Sequence, residues 1–364
     1  MTGEARIVKV WDVIVVGAGI IGLSLARELR KTGRTVLVVE RSEPGREASH
    51  AAGGMLVNSG DEGSEALRPL ADASAQMYPE FVFELQDESG LHIDWRCNGT
   101  ICFPRAEHPP TSGPGEKYLT PAQIHELEPA LSPVSRSAVL LKESCVDPRD
   151  LVRACQQAAK HRGVHFSSGD PVTSINISDS HVIGVTTTKT SFSSEVVVNC
   201  AGAWAGEFAP VSFPTRPVKG QMLSVVMPTK SSLQHVVRSP DVYLIPRSTG
   251  RLVIGATVEE AGFDKQVVPD TIMRLRQSAL DLMPGLEEAR ILEAWAGLRP
   301  GTPDNLPILG SAGIPGYFVA TGHYRDGILL APITAKLMTQ LISGGEPEYN
   351  LESFSARRFA TMAA

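Results

Sequence analysis

A chain of 364 residues has room for two domains, and its net charge of -6 with no basic block or stripe excludes a general nucleic-acid binder. Its 42% apolar and 20% charged residues are those of an ordinary globular protein. With no run apolar enough to cross a bilayer and no signal-peptide pattern, a cytoplasmic protein without membrane contact is expected.

Val13 to Val16 reads as a buried strand, followed by Gly17, Gly19 and Gly22 at the spacing G-x-G-x-x-G. The first glycine permits a tight turn, the second lets backbone approach a pyrophosphate, and the third lets helix and strand pack closely. Ile21, Leu25, Ala26 and Leu29 make one helical face before Gly33 stops the helix, and Thr35 to Val39 form a second strand. Glu40 closes that strand where a carboxylate can accept hydrogen bonds from ribose hydroxyls. This unit predicts a dinucleotide site and leaves NAD and FAD both open.

The next loop ends in the run Glu47-Ala-Ser-His-Ala-Ala-Gly-Gly-Met55, whose small side chains suit close approach of backbone to a bulky ligand. Glu65 to Leu85 reads as helix, Ile93 to Phe103 as strand, and 109–121 as a surface connection into a helix capped by Thr120. Asp147 caps another helix with Leu151, Ala154, Cys155 and Ala158 on its buried face. The apolar strand ending at Cys200 runs into Ala201-Gly-Ala-Trp-Ala-Gly206, a second glycine bend that should crowd around the same ligand.

From Val218 the texture becomes alternating strands at Met222 to Val226, Val242 to Arg247, Arg251 to Thr257 and Ile291 to Leu298, with a helix capped by Asp270 among them. The chain then offers a strand at Gly316 to Ala320, the turn Thr321-Gly-His-Tyr-Arg-Asp-Gly327 and a helix from Ile328 to Ile342. The expected fold is α/β: a Rossmann-type nucleotide domain with an inserted α+β substrate domain built on an antiparallel sheet.

Three constellations bear on chemistry. A helix starting at Gly327 or Ile328 offers N–H groups to an electron-rich ligand edge, or is simply capped by Asp326 or water. Arg299, in an apolar frame before Pro300 and Gly301, needs an anionic partner; substrate carboxylate and a protein Asp or Glu are equally open. Tyr243 could add a hydroxyl to such a carboxylate, or be a core aromatic. His323 in the glycine turn reads equally as site or structural residue. There is no G-x-S-x-G, and no His or Cys pair with zinc-ligand spacing on one face, so no metal is expected. Cys97, Cys102, Cys145, Cys155 and Cys200 read as free thiols.

The motifs EASHAAGGML, VVVNCAGAWAG, VKGQMLSV, YLIPRSTGRLVIGAT, WAGLRPGTPDNLPILG and GHYRDGILLAP stand in an order that resembles the FAD-dependent amine oxidases of the D-amino-acid oxidase superfamily. Within it the chain is similar to the glycine oxidases of the bacterial thiamine-thiazole pathway. The resemblance implies FAD held by Gly17, Gly19, Ile20, Ile21, Gly22, Glu40 and Arg41, by Ala48, Ser49, Ala52, Gly53, Gly54 and Met55, and by Val172, Ala201, Gly202 and Trp204. The turn residues His323, Tyr324, Arg325, Asp326, Gly327 and Ile328 would complete that site beside Arg299. It further implies that Arg299 and Tyr243 bind an amino-acid carboxylate and that Arg325 lies by the flavin and substrate cavity. No cysteine lies between Leu298 and Ile308, the attachment region of related sarcosine oxidases, so the FAD is expected to be non-covalent. Asp241 stands where glycine oxidases carry histidine, and Val258 where a larger Met can occur.

The implied divisions are 1–88, 146–214 and 299–364 for FAD and 89–145 and 215–298 for substrate. The implied reaction is oxidative deamination of glycine, with sarcosine and small D-amino acids as further substrates, to the imine or glyoxylate and ammonia, dioxygen becoming hydrogen peroxide. The alternatives are a dehydrogenase using a non-oxygen acceptor and a non-catalytic flavin-binding subunit. A homo-oligomer is expected.

Overall fold

The computed structural model describes residues 10–57, 64–104, 116–132, 137–227 and 233–362; the first part of the connection read at 109–121 lies outside them. All four residues of the Val13–Val16 strand are buried because both faces of its sheet are covered. Val13 and Val15 pack with Leu23 and Leu25 of the following helix, while Ile14 and Val16 pack with Ile175 and Val182 on the other side. The sheet runs in the order His165–Ser168, Val36–Glu40, Val13–Val16, Val197–Asn199, Tyr317–Thr321 and Ile308–Ser311. The first five strands are parallel and the last is antiparallel. Helices Ile20–Lys31, Arg68–Ser89, Pro148–His161 and Ala331–Ile342 contribute the core on one face. A meander of Val172–Ser178, His181–Thr187 and Ser191–Ser194, edged by Val10–Trp11, covers the other.

The second large sheet has eight strands, ordered Ile291–Gly301, Arg216–Val226, Arg251–Gly255, Tyr243–Pro246, Val236–Arg238, Thr100–Cys102, Ala138–Leu141 and Lys117–Leu119. All neighbours are antiparallel except Val236–Arg238 and Thr100–Cys102. Leu223, Leu244 and Ile254 on one face pack with Ile272, Leu275 and Ala279 of the Pro269–Leu282 helix. Met222, Ile245 and Val253 occupy the opposite face. The chain is thus the α/β architecture expected, with parallel and antiparallel sheets joined.

Several boundaries differ from expectation. The run Ile93 to Phe103 splits into Trp95–Arg96 and Thr100–Cys102, which join different sheets, because Gly99 turns the chain at φ 93°. Asp270 is not a cap: Val268 is, Pro269 takes the first helical position its fixed φ suits, and Asp270 adds negative charge to the first turn. The last helix begins at Ala331, not Ile328. A helix running through 328 would set the Pro332 ring against the Ile328 carbonyl and leave that carbonyl without a donor. Residues 327–330 coil as turns instead, and Tyr78 Oη donates to the Ile328 oxygen while Ser74 Oγ donates to that of Leu329.

Candidate functional site

The N-terminal glycines serve separate ends. A Cβ on Gly22 would lie 2.0 Å from the Gly17 carbonyl oxygen, so glycine there lets helix and turn close on one another. Gly17 has φ 101°, and its Cβ would meet the Cys200 carbonyl oxygen at 2.6 Å. Gly19 differs, since a Cβ would find nothing nearer than Ser49 Oγ at 3.4 Å. Gly19, Ile20 and Ile21 line a cavity of about 980 Å³, and what fills that cavity is what a side chain at 19 would obstruct. Gly17 lines it as well, whereas Gly22 does not and acts through packing.

Gly19 caps its helix without a side chain, and Ile20 N donates to Ser49 Oγ at 2.9 Å. The positive end of the helix dipole therefore opens on the cavity. Glu40 is buried; its Oε2 accepts from Ala18 N at 2.8 Å and its Oε1 from Ser42 N at 3.0 Å. Oε1 also accepts from Ser42 Oγ at 3.3 Å, so Oε2 is the oxygen that keeps a further lone pair for a ligand donor. Arg41 lies 3.5 Å from the centroid of the Trp204 ring and ion-pairs with Glu47.

The run of small residues brings Ala48, Ser49, Ala52, Gly53, Gly54 and Met55 to the same cavity. Gly54, at φ 78°, would push a Cβ to 2.0 Å from the Val146 carbonyl oxygen, and a Cβ on Gly53 would meet Ile245 Cδ1 at 2.9 Å. The backbone can pass this close to Val146 and to Ile245 of the second sheet only without side chains. Val172, Ala201, Gly202 and Trp204 form a further part of the wall.

Arg299 sits within the Ile291–Gly301 strand. Its guanidinium lies over Gly220 of the neighbouring strand, where a Cβ would come within 2.4–2.6 Å of it. Nη1 donates to the Thr257 carbonyl at 3.0 Å and more weakly to that of Lys219 at 3.5 Å. Among the described residues Arg299 has no ion pair with an Asp or Glu. Of the two partners open to it from sequence, the internal carboxylate is not found among the described residues, which leaves its charge able to take a ligand anion in the cavity.

Tyr243 occupies a similar seat, since a Cβ on Gly255 would lie 2.7–2.8 Å from the Tyr243 ring and hydroxyl. Burial raises the phenol pKa, and the Arg299 guanidinium, followed by that of Arg325, pulls it back. Tyr243 is a neutral hydroxyl beside Arg299, in contact with Met222 Sδ at 3.7 Å.

The turn His323 to Ile328 lines the cavity beside them. His323 is buried, which pushes its pKa down to about 3, and its Nε2 lies 3.1 Å from Thr334 Oγ1. It is a neutral anchor between turn and helix. The Asp326 carboxyl makes no described hydrogen bond, so it is not the cap that the sequence allowed; Leu330 N donates to its main-chain oxygen at 2.8 Å. Burial raises this carboxyl to about 6, against the pull of Arg325.

The pieces fit FAD: a helix N-terminus with an open glycine, a buried carboxylate at the end of the adjacent strand, and a cavity long enough in its lining to reach a turn and a guanidinium from another part of the chain. No group of three or more His, Cys, Asp or Glu that could hold a metal occurs among the described residues. No described helix is long and apolar enough to cross a membrane. Sequence reasoning missed Gly220, Gly255 and Thr257. The first two carried a usable signal, a glycine inside a strand, which marks close approach of another group.

A family model described as FAD dependent oxidoreductase matches residues 12–341. The chain is 36% identical to the bifunctional protein ThiO/ThiG of Trichormus variabilis over 97% of its own length but 56% of that relative, so it spans about half the length of such curated relatives. It is 34% identical to the glycine oxidase of Pseudomonas aeruginosa, covering 92% of this chain and 95% of that one. The crystal structure of glycine oxidase from Geobacillus kaustophilus superposes with a TM-score of 0.89 at 33% identity, over 95% of this chain and 98% of that one.

Proposed function

The chain belongs to the FAD-dependent oxidoreductase family, and we propose that within it this protein oxidatively deaminates glycine, and with it sarcosine and small D-amino acids. Glycine, water and dioxygen would yield glyoxylate, ammonia and hydrogen peroxide through the imine. The observation that carries the reading is Arg299, seated on Gly220 without a protein carboxylate among the described residues, in the same cavity as the nucleotide turn.

FAD, held without a covalent bond, supplies the two-electron acceptor. Gly17, Gly19, Ser49 and Glu40 would hold its nucleotide end, and the turn at 324–328 would meet its electron-rich end. Arg299 would take the substrate carboxylate, and the Tyr243 hydroxyl would donate to it. A carboxylate clamped in this way fixes the direction of the amine and the α carbon, and this positioning supplies much of the catalysis. No basic side chain is needed for proton removal if the amine arrives neutral. The one histidine in the turn is already committed to Thr334. Resemblance to the bifunctional ThiO/ThiG proteins supports a route for the imine into thiazole formation as well as into hydrolysis.

Anaerobic titration with glycine tests this directly. The flavin absorbance should bleach, and air should restore it within the turnover time. Arg299→Ala should keep FAD and need about a hundredfold more glycine, the cost of removing a charged partner from a largely desolvated site. Failure of glycine, sarcosine, D-alanine and D-proline alike to bleach the flavin overturns the substrate class; a flavin that stays reduced in air overturns oxygen as acceptor.

A further inference from the structure

Residues 256–268 join the Arg251–Gly255 strand to the Pro269–Leu282 helix as one long irregular segment on the surface. Connections of this length within a compact fold usually have a task of their own. This one is fastened to the Arg216–Val226 strand at both its ends and at Asp264 between them. Glu259 and Lys219 exchange both main-chain hydrogen bonds at 2.9 Å, Gln221 N donates to Thr257 Oγ1 at 2.8 Å, and Val268 N donates to Gln221 Oε1 at 2.7 Å. The buried Lys219 ammonium pairs with Asp264 at 2.8 Å. The Thr257 carbonyl, on this same fastened stretch, is the acceptor that holds Arg299 Nη1 at 3.0 Å.

The middle of the segment reaches the cofactor wall. Phe263, 44% exposed, stacks on Trp204 with ring centroids 5.1 Å apart and planes 29° from parallel. Lys265 Nζ lies 3.1 Å from Glu47. Trp204 in turn carries Arg41, and Arg41 ion-pairs with Glu47. Phe263, Trp204, Arg41, Glu47 and Lys265 therefore close a circuit that leaves the segment, crosses the wall beside Glu40 and returns. A half-exposed aromatic ring stacked on Trp204, four positions from the residue that fixes Lys219 and six from the carbonyl that fixes Arg299, ties the two seats together.

We propose that residues 257–268 act as a strap linking the cofactor seat to the carboxylate seat. Phe263 and Lys265 are its positioning residues. They hold the strap on Trp204 and Glu47, and through the Thr257 carbonyl they fix the direction of the Arg299 guanidinium. The inference rests on the proposed role of Arg299. Linkage of this kind is reciprocal: a carboxylate on Arg299 retains FAD, and FAD improves carboxylate binding.

The experiment uses holoenzyme of the wild type and of Phe263→Ala, Lys265→Ala and Phe263→Tyr, all at exposed positions. One readout is the rate of flavin fluorescence recovery on dilution, which reports FAD release. The other is the acetate dissociation constant from perturbation of flavin absorbance. Phe263→Ala should release FAD about fivefold faster and bind acetate about threefold more weakly, as loss of a ring pair predicts. Lys265→Ala should move both about twofold and only at low salt. Phe263→Tyr, which keeps the stack, should match the wild type. Saturating acetate should slow FAD release in the wild type and not in Phe263→Ala. Faster release with unchanged acetate affinity and protection makes Phe263 a local cofactor contact and overturns the linkage, as does no change in either. A wild-type flavin blind to acetate removes the carboxylate seat and the linkage with it, and Phe263→Ala release rates then still distinguish that failure from a loose strap.

Discussion

At the nucleotide end of the cavity, one contiguous unit from Val13 to Glu40 supplies the turn, the helix N-terminus and the carboxylate, with help from Ser49 and Cys200. At the end proposed to take the carboxylate every functional group needs a seat on another segment: Arg299 on Gly220, Tyr243 on Gly255, and the Arg299 Nη1 on the Thr257 carbonyl. The first end is rigid because backbone packs on backbone. The second is adjustable, because what would collide with a new Cβ there is the far end of a side chain. A substitution at Gly17 or Gly22 should therefore be a folding lesion, and one at Gly220 or Gly255 a functional one.

Gly22→Val gives the largest effect. With the Gly17 oxygen 2.0 Å from a Cβ, helix and turn must part, at a cost of about 3 kcal/mol or more, and purified protein should lack FAD and melt early in calorimetry. Gly220→Ala should be milder and more selective, since the Arg299 guanidinium can swing aside. FAD content and melting temperature should stay near wild type while glycine KM rises about tenfold, the scale of one weakened charge-assisted bond. A Gly220→Ala protein that loses FAD as completely as Gly22→Val would erase the distinction between the two ends.

Asp326→Asn should give the smallest effect and sharpen the same contrast through pH. The folded carboxyl titrates near 6, above its ordinary 3.8, so the native state prefers the protonated form. The stability this group contributes is complete below about pH 4 and is lost as pH rises through about 6. Asp326→Asn should thus raise the melting temperature of the apoprotein at pH 8 and leave it unchanged at pH 4. An equal shift at both values would remove the carboxyl as its cause.

The nucleotide unit was legible because its partners lie within one short segment, where glycine spacing and apolar periodicity record the packing. Arg299 and Tyr243 could be singled out, but not the reason they are held. Gly220 and Gly255 could be marked as glycines within strands, but what each makes room for appears only when the strands pair, Val218 with Arg299 over a long separation and Tyr243 with Gly255 across a hairpin. The start of the last helix was misjudged for a readable reason: Pro332 forbids a helical carbonyl at Ile328. What sequence could not supply was the answer to that broken bond, since the side-chain donors to 328 and 329 are Tyr78 and Ser74, on a helix far earlier in the chain.

The central strand Val197–Asn199 lies between Val13–Val16 and Tyr317–Thr321. During synthesis the nucleotide turn emerges first, yet the strand that completes its sheet, and the turn that closes the cavity, follow some three hundred residues later. Contacts of such separation form only after most of the polypeptide is available. Flavin loading therefore cannot precede the emergence of residues 317–328, and the early glycine unit must wait, half-built, for them.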